Sequence, residues 1–176
     1  MKIEYYHASK YGNGAMVAEE FKKQMAVKGI IVNVQHVRDA NPKELPPADL
    51  YIFSSPGRFG KPIGDIQNYL KKAQLTPGMK YAIIATELCP TPGKVKRIPT
   101  EEEIGKCQRV IPIMNQILQE KGLVKVTETK IFVTGIKGPL ENGWQKVVED
   151  FVSQISIQHY SQIDKNLINS SVISVA

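Results

Sequence analysis

Residues able to do chemistry gather in three short stretches of the chain. The first, Ser9-Lys10-Tyr11-Gly12-Asn13-Gly14, sets a small polar residue between two glycines. Such a turn lets the backbone reverse sharply and aim its N–H groups inward. A helix beginning there adds its positive end, which suits a phosphate, and Ser9 and Asn13 can donate from their side chains. The loop has neither the Gly-x-Gly-x-x-Gly spacing of a dinucleotide site nor the Gly-Lys-Ser/Thr ending of a nucleotide-phosphate loop. Alone, it serves equally well as a plain strand-to-helix connection. The second stretch is Ser54-Ser55-Pro56-Gly57-Arg58-Phe59-Gly60-Lys61-Pro62, and the third runs from Thr86 to Pro99, beginning Thr86-Glu87-Leu88-Cys89-Pro90. No Ser/His/Asp ordering and no carboxylate pair at a strand end accompanies them. Two cysteines, Cys89 and Cys107, make neither a disulfide framework nor a zinc site. Cys89 reads first as an inert small residue, and His7, with no visible carboxylate partner, reads as structural.

These stretches sit at regular places in an alternating pattern. Residues 2–7 read as a strand, and Val17, Phe21 and Met25 recur every four residues as one face of a helix that Gly29 would end. Ile30–Val37 reads as the second strand. Leu50-Tyr51-Ile52-Phe53 is a continuous apolar run suited to a strand covered on both faces, and Ile63, Ile66 and Leu70 mark the next helix. Tyr81–Ala85 is the fourth strand. Thr100-Glu101-Glu102-Glu103 matches a capping box, opening a helix that carries Ile104, Cys107, Ile111, Met114 and Leu118, with a kink or break expected at Pro112. Lys130–Thr134 forms the core of the last strand, and Trp144, Val148, Phe151 and Ile155 line the last helix.

Strict alternation of five strands with about four helices predicts an α/β fold: a parallel sheet with helices on both faces. Wound in the order 2-1-3-4-5, such a sheet brings the loops after strands one, three and four to one edge, where ligands bind. The length of 176 residues suits one domain over residues 1–157, followed by a Ser- and Asn-rich tail, 158–176, that is either disordered or docked on a partner. A homodimer contact would be sought at its apolar end, Val172, Ile173 and Val175. No apolar run reaches the ~20 residues of a membrane span, and no secretory signal opens the chain, so a cytoplasmic location is expected. The net charge of +6 comes from scattered lysines and arginines without a nucleic-acid signature, so they read as solvated faces rather than a nucleic-acid surface.

Taken in register, the loops at 9–14 and 54–62 resemble the phosphate loop and the second loop of the flavodoxin family, short-chain type, over residues 1–157. The phosphate loop of that family usually reads Ser/Thr-x-Thr-Gly-x-Thr. The resemblance implies a three-layer flavodoxin-like sandwich and FMN as cofactor. It implies that Ser9, Tyr11, Gly12, Asn13 and Gly14 hold the FMN phosphate. Pro56, Gly57, Arg58, Phe59 and Gly60 would line one side of the flavin ring, and Thr86, Glu87, Leu88 and Cys89 its other edge. Phe59 reads as stacking on the ring, with cover of the sheet edge as the plainer role. Arg58 would offset negative charge on a reduced ring or simply be solvated. Tyr11 and Gly14 depart from the family by standing where hydroxyl-bearing threonines are usual. The third loop lacks the stacking aromatic common in the electron carriers, and those carriers are acidic where this chain is basic.

The implied function is electron transfer, or flavin-dependent reduction of a quinone, a small-molecule acceptor or a partner protein. NAD(P)H is a candidate donor, with Lys94, Lys96 and Arg97 available for its 2′-phosphate or for an acidic partner. The alternative is a flavodoxin-like domain without cofactor, serving as a binding or assembly module. A magnesium-dependent receiver domain is excluded, because strand three ends Phe53-Ser54-Ser55 where such a domain needs an aspartate.

Overall fold

The computed structural model describes residues 1–90 and 100–157. Lys94, Lys96, Arg97 and the tail at 158–176 lie outside the described residues. In chain order the elements are β1 (Lys2–His7), α1 (Asn13–Val27), β2 (Ile31–His36), β3 (Leu50–Arg58), β4 (Lys61–Pro62), α2 (Gly64–Lys72), β5 (Lys80–Leu88), α3 (Glu101–Cys107), α4 (Val110–Glu120) and β6 (Val124–Val133). A helix at 144–157, α5, follows.

Five strands pair in parallel in the spatial order β2-β1-β3-β5-β6, which is the winding predicted above. The period of two along each strand divides the core. Ile3, Tyr5, Leu50, Ile52, Ala82 and Ile84 face one layer, with Phe21 and Met25 of α1 and Val148, Phe151 and Ile155 of α5. Tyr6, Tyr51, Phe53, Tyr81, Ile83 and Ala85 face the other, with Ile66 and Leu70 of α2 and Met114 and Leu118 of α4. The central strands β3 and β5 are buried on both faces, hence their unbroken apolar runs.

Four features differ from the sequence reading. The second loop is shorter than expected, because β3 runs on to Arg58 and folds back into β4, an antiparallel pair with Gly57 opposite Pro62 and Arg58 opposite Lys61. The predicted order therefore gains a sixth, two-residue strand. Thr86, Glu87 and Leu88 are likewise the end of β5 rather than loop. The last strand begins at Val124, where charged and threonine residues at an edge gave no apolar signal.

The capping-box helix is also interrupted before Pro112, at Gln108–Arg109. The capping box itself is present: the Thr100 side chain accepts from Glu103 N–H, and the Glu103 carboxylate accepts from Thr100 N–H. The break comes from tertiary anchoring, since Arg109 N–H donates to Gly60 O at 2.7 Å and Gln108 Nε2 donates to Leu88 O at 2.8 Å. Pro112 is the third residue of α4, within the first turn, where a missing N–H forfeits no intrahelical bond. As a result α3 buries none of its residues, and Cys107, expected on a buried face, is exposed.

Candidate functional site

The carboxyl ends of β1, β3, β5 and β6 converge on one cleft of about 850 Å³, within the range of ligand sites. Of the fourteen residues singled out in the sequence, all but Gly12 line it. Gly12 instead shapes the loop from behind: its φ of +89° places it in the left-handed region as the N-cap of α1, a conformation that glycine adopts without strain. The first turn of α1 holds no acidic residue and its N-cap, Gly12, offers no side chain, so no negative charge in that turn offsets the positive end of a 15-residue helix at the loop.

Ser9 is the pivot of this loop. Its Oγ accepts from Gly14 N–H at 3.1 Å, leaving its own hydroxyl proton free to donate. A Cβ at Gly14 would stand 3.2 Å from Ser9 Cβ, so the absence of a side chain there lets the two ends of the loop close. Both main-chain groups of Ser9 meet histidines. Its N–H points to His7 Nδ1 at 3.4 Å, and its carbonyl lies 3.3 Å from His36 Nε2. Since His36 Nδ1 accepts from Arg38 N–H at 3.1 Å, Nε2 is the protonated nitrogen and donates to Ser9 O. The two rings meet edge to face at 5.0 Å. Burial, and then the neighbouring His36, hold His7 below its ordinary value, in the neutral form able to accept from Ser9. The sequence placed His7 and His36 on adjacent strands, but their shared hold on Ser9 depends on the β1–β2 register, in which they are direct partners.

Asn13 leans across the cleft: its Nδ2 donates to Lys137 O at 3.1 Å. It rests on Gly138, where a Cβ would come within 2.6 Å of Asn13 Oδ1. The first loop is thereby tied to the segment after β6, which adds Gly135 and Ile136 to the lining. Those two, and Glu103, Ile104, Cys107 and Gln108 from the α3 region, escaped the sequence reading. Gly135 was the legible signal, a glycine at the end of a parallel strand; the α3 residues carried none.

On the opposite wall, Phe59 and Gly60 form the two-residue turn between β3 and β4, with φ of +52° and +72°. Two consecutive positive values match a turn type in which Asn-Gly is usual. An aromatic in the first place costs roughly 1–2 kcal/mol, and this ring is 92% exposed, so burial does not offset that cost. Arg58 lies over it at 5.6 Å. Tyr11, Leu88 and Ile136 add further exposed apolar surface to the rim. The floor is different. Glu87 is 2% exposed, with Oε2 3.2 Å from Lys130 Nζ; the pair is not aligned as a hydrogen bond, and Oε1 has no donor among the described residues. Cys89 Sγ is 3.6 Å from Glu141 Oε1. Desolvation, and then that carboxylate, raise the thiol above its ordinary value, which opposes thiolate chemistry. Among the described residues no group of three His, Cys, Asp or Glu side chains could hold a metal, and no helix is long and apolar enough to cross a membrane.

No protein-family model matches the chain, and no curated protein sequence matches it. Solved structures do. Flavodoxin 2 from Bacillus cereus superimposes with a TM-score of 0.69 at 18% identity, over 90% of this chain and 99% of its own. Flavodoxin 1 from the same organism gives 0.63 at 17%, over 88% and 96%. Rubredoxin oxygen:oxidoreductase from Desulfovibrio gigas gives 0.66 at 10%, and there the 92% of this chain that aligns spans only 37% of the longer protein. The chain therefore has a flavodoxin-like fold.

Proposed function

We propose that the cleft binds FMN and that the protein passes electrons between a donor and a partner protein, quinone or small-molecule acceptor. The observation that carries this reading is Phe59. An aromatic held at φ +52° and 92% exposed at the rim of a cleft, with only the exposed Arg58 over its ring, is backbone strain with little packing return, and such strain is a reason to look for function. A flat ring stacked on Phe59 supplies the missing contact.

The rest of the cleft fits that ligand. The loop at 9–14 and the start of α1 would hold the phosphate through the backbone N–H groups other than Gly14's, which Ser9 takes, with the Ser9 hydroxyl as an additional donor. Gly14 stands where the family commonly has threonine, and in this chain Ser9 closes the loop against it. Pro56, Gly57, Arg58 and Gly60 would line one side of the ring and Thr86, Leu88 and Cys89 its other edge. When bound, FMN supplies the redox chemistry; the chain's part is to orient it, bury one face and set the charge around it. That two of the three structural neighbours named above are flavodoxins supports this reading.

The test is titration of the purified protein with FMN, followed by flavin fluorescence. Saturable binding at micromolar concentration or below is expected. Phe59→Gly should weaken it by about two- to tenfold, the size of an aromatic pair contact of ~0.5–1.5 kcal/mol. Its stability should change by less than about 1 kcal/mol, because relief of backbone strain offsets the added chain entropy. Absence of binding to FMN, FAD and riboflavin would replace this reading with that of a cofactor-free binding module.

A further inference from the structure

Up to Ala8 the sheet itself holds the chain, since Ala8 N–H donates to Ser54 O at 3.1 Å. The next two peptide units are held by histidines instead. His7 Nδ1 accepts from Ser9 N–H at 3.4 Å, and His36 Nε2 donates to Ser9 O at 3.3 Å. Beyond them the main-chain N–H groups of Lys10, Tyr11, Gly12 and Asn13 have no acceptor among the described residues. The run ends at Gly14, whose N–H is taken by Ser9 Oγ. Neither histidine lines the cleft, whereas Ser9, Lys10, Tyr11 and Asn13 do.

Four successive unbonded N–H groups form a cradle for an anion only while their peptide units keep one orientation. A peptide that turns over presents its carbonyl instead, and attraction becomes repulsion. Ser9 O and Lys10 N–H belong to one planar trans unit, so they point to opposite sides. By holding the carbonyl, His36 fixes the direction of the first N–H of the run, away from itself. His7 holds the unit before it. The His36 ring is fixed in turn by Arg38 N–H, which donates to its Nδ1 at 3.1 Å. We infer that His7 and His36 are positioning residues for a phosphate monoester, orienting the N–H run at 10–13 through the main chain of Ser9. This rests on the FMN reading above and concerns only the phosphate end of that ligand.

The experiment compares dissociation constants for FMN and for riboflavin, which has the same ring without the phosphate, at pH 8. His36→Phe keeps a ring beside His7 but removes the donor, and His7→Phe removes the acceptor. Each should weaken FMN binding about three- to tenfold, the size of one hydrogen bond, and leave riboflavin binding within about twofold of wild type. His36→Gln and His7→Asn supply an amide donor near Nε2 and an amide acceptor near Nδ1. Both should hold FMN within about twofold of wild type. His7 is buried, and if His7→Phe does not fold, the two His36 variants decide. Phenylalanine variants that weaken FMN and riboflavin equally, or weaken neither, overturn the inference, as do amide variants no better than phenylalanine. Wild type that binds riboflavin as tightly as FMN also overturns it and leaves flavin binding standing. Wild type that binds neither flavin overturns the proposed function, and this inference falls with it.

Discussion

At Gly12 a side chain would enter open space; at Gly60 it would overlap the carbonyl oxygen of Cys107. Both glycines have positive φ and both belong to loops that resemble flavodoxin ligand loops, yet their reasons differ. Gly60 is required by the fold, because the α3–α4 junction lies against it and Arg109 N–H bonds to its carbonyl. Gly57 is similar, pressed against Glu87 and Val110. In the first loop only Gly12 leaves room: it meets no atom within 4 Å, whereas a Cβ at Gly14 would stand 3.2 Å from Ser9 Cβ. The lesson is that packing accounts for the glycines at 14, 57 and 60, whereas Gly12 answers to its positive φ alone. Glycine richness therefore carries no ligand argument by itself, and that argument passes to Phe59.

The contrast can be broken at Gly60. Gly60→Ala combines a backbone clash with a disfavoured φ and should cost about 3–5 kcal/mol, read as a melting temperature lower by about 10 °C or more or as loss of soluble protein. Gly12→Ala meets no clash and should cost only the backbone term, about 1–2 kcal/mol. Gly12→Asn should recover much of that, since asparagine tolerates the left-handed region. If both alanine variants lose equal stability in chemical denaturation, the distinction between the two loops fails.

A smaller effect sharpens the description of the first loop. His7 is held below its ordinary value of 6.5, so the unfolded chain binds a proton more readily than the folded one. Stability is then fully present above about pH 6.5 and declines as pH falls toward the lower folded value. Protonation would also remove the acceptor that Nδ1 offers to Ser9 N–H. Melting curves of wild type and His7→Asn across pH 5–8 should show a steeper acid-side decline in wild type, and parallel curves would remove His7 from the account.

Much of the fold was legible because burial leaves a periodic trace. The continuous apolar run Leu50–Phe53 announced a strand covered on both faces, and the four-residue spacing of Val17, Phe21 and Met25 announced the buried face of α1. The glycine-bearing loops were legible because strand ends in a parallel sheet share one edge. The first half of β6 left no such trace, since Lys125, Thr127 and Glu128 sit on an edge strand only partly buried. Nor did the β3–β4 hairpin, whose turn carries phenylalanine where asparagine is usual.

By itself, then, the sequence determined the order of the five parallel strands, their burial and the placing of three loops at the carboxyl edge of the sheet, all consequences of local periodicity and short connections. Only the tertiary structure decided where the capping-box helix breaks, why Gly57 and Gly60 lack side chains, and that a buried Glu87 among the cleft residues stands 3.2 Å from Lys130. These depend on atoms brought together from distant positions. Arg109 meets Gly60, Gln108 meets both Leu88 and Lys130, and Asn13 meets Lys137 across 124 positions of chain; no local spacing encodes such meetings.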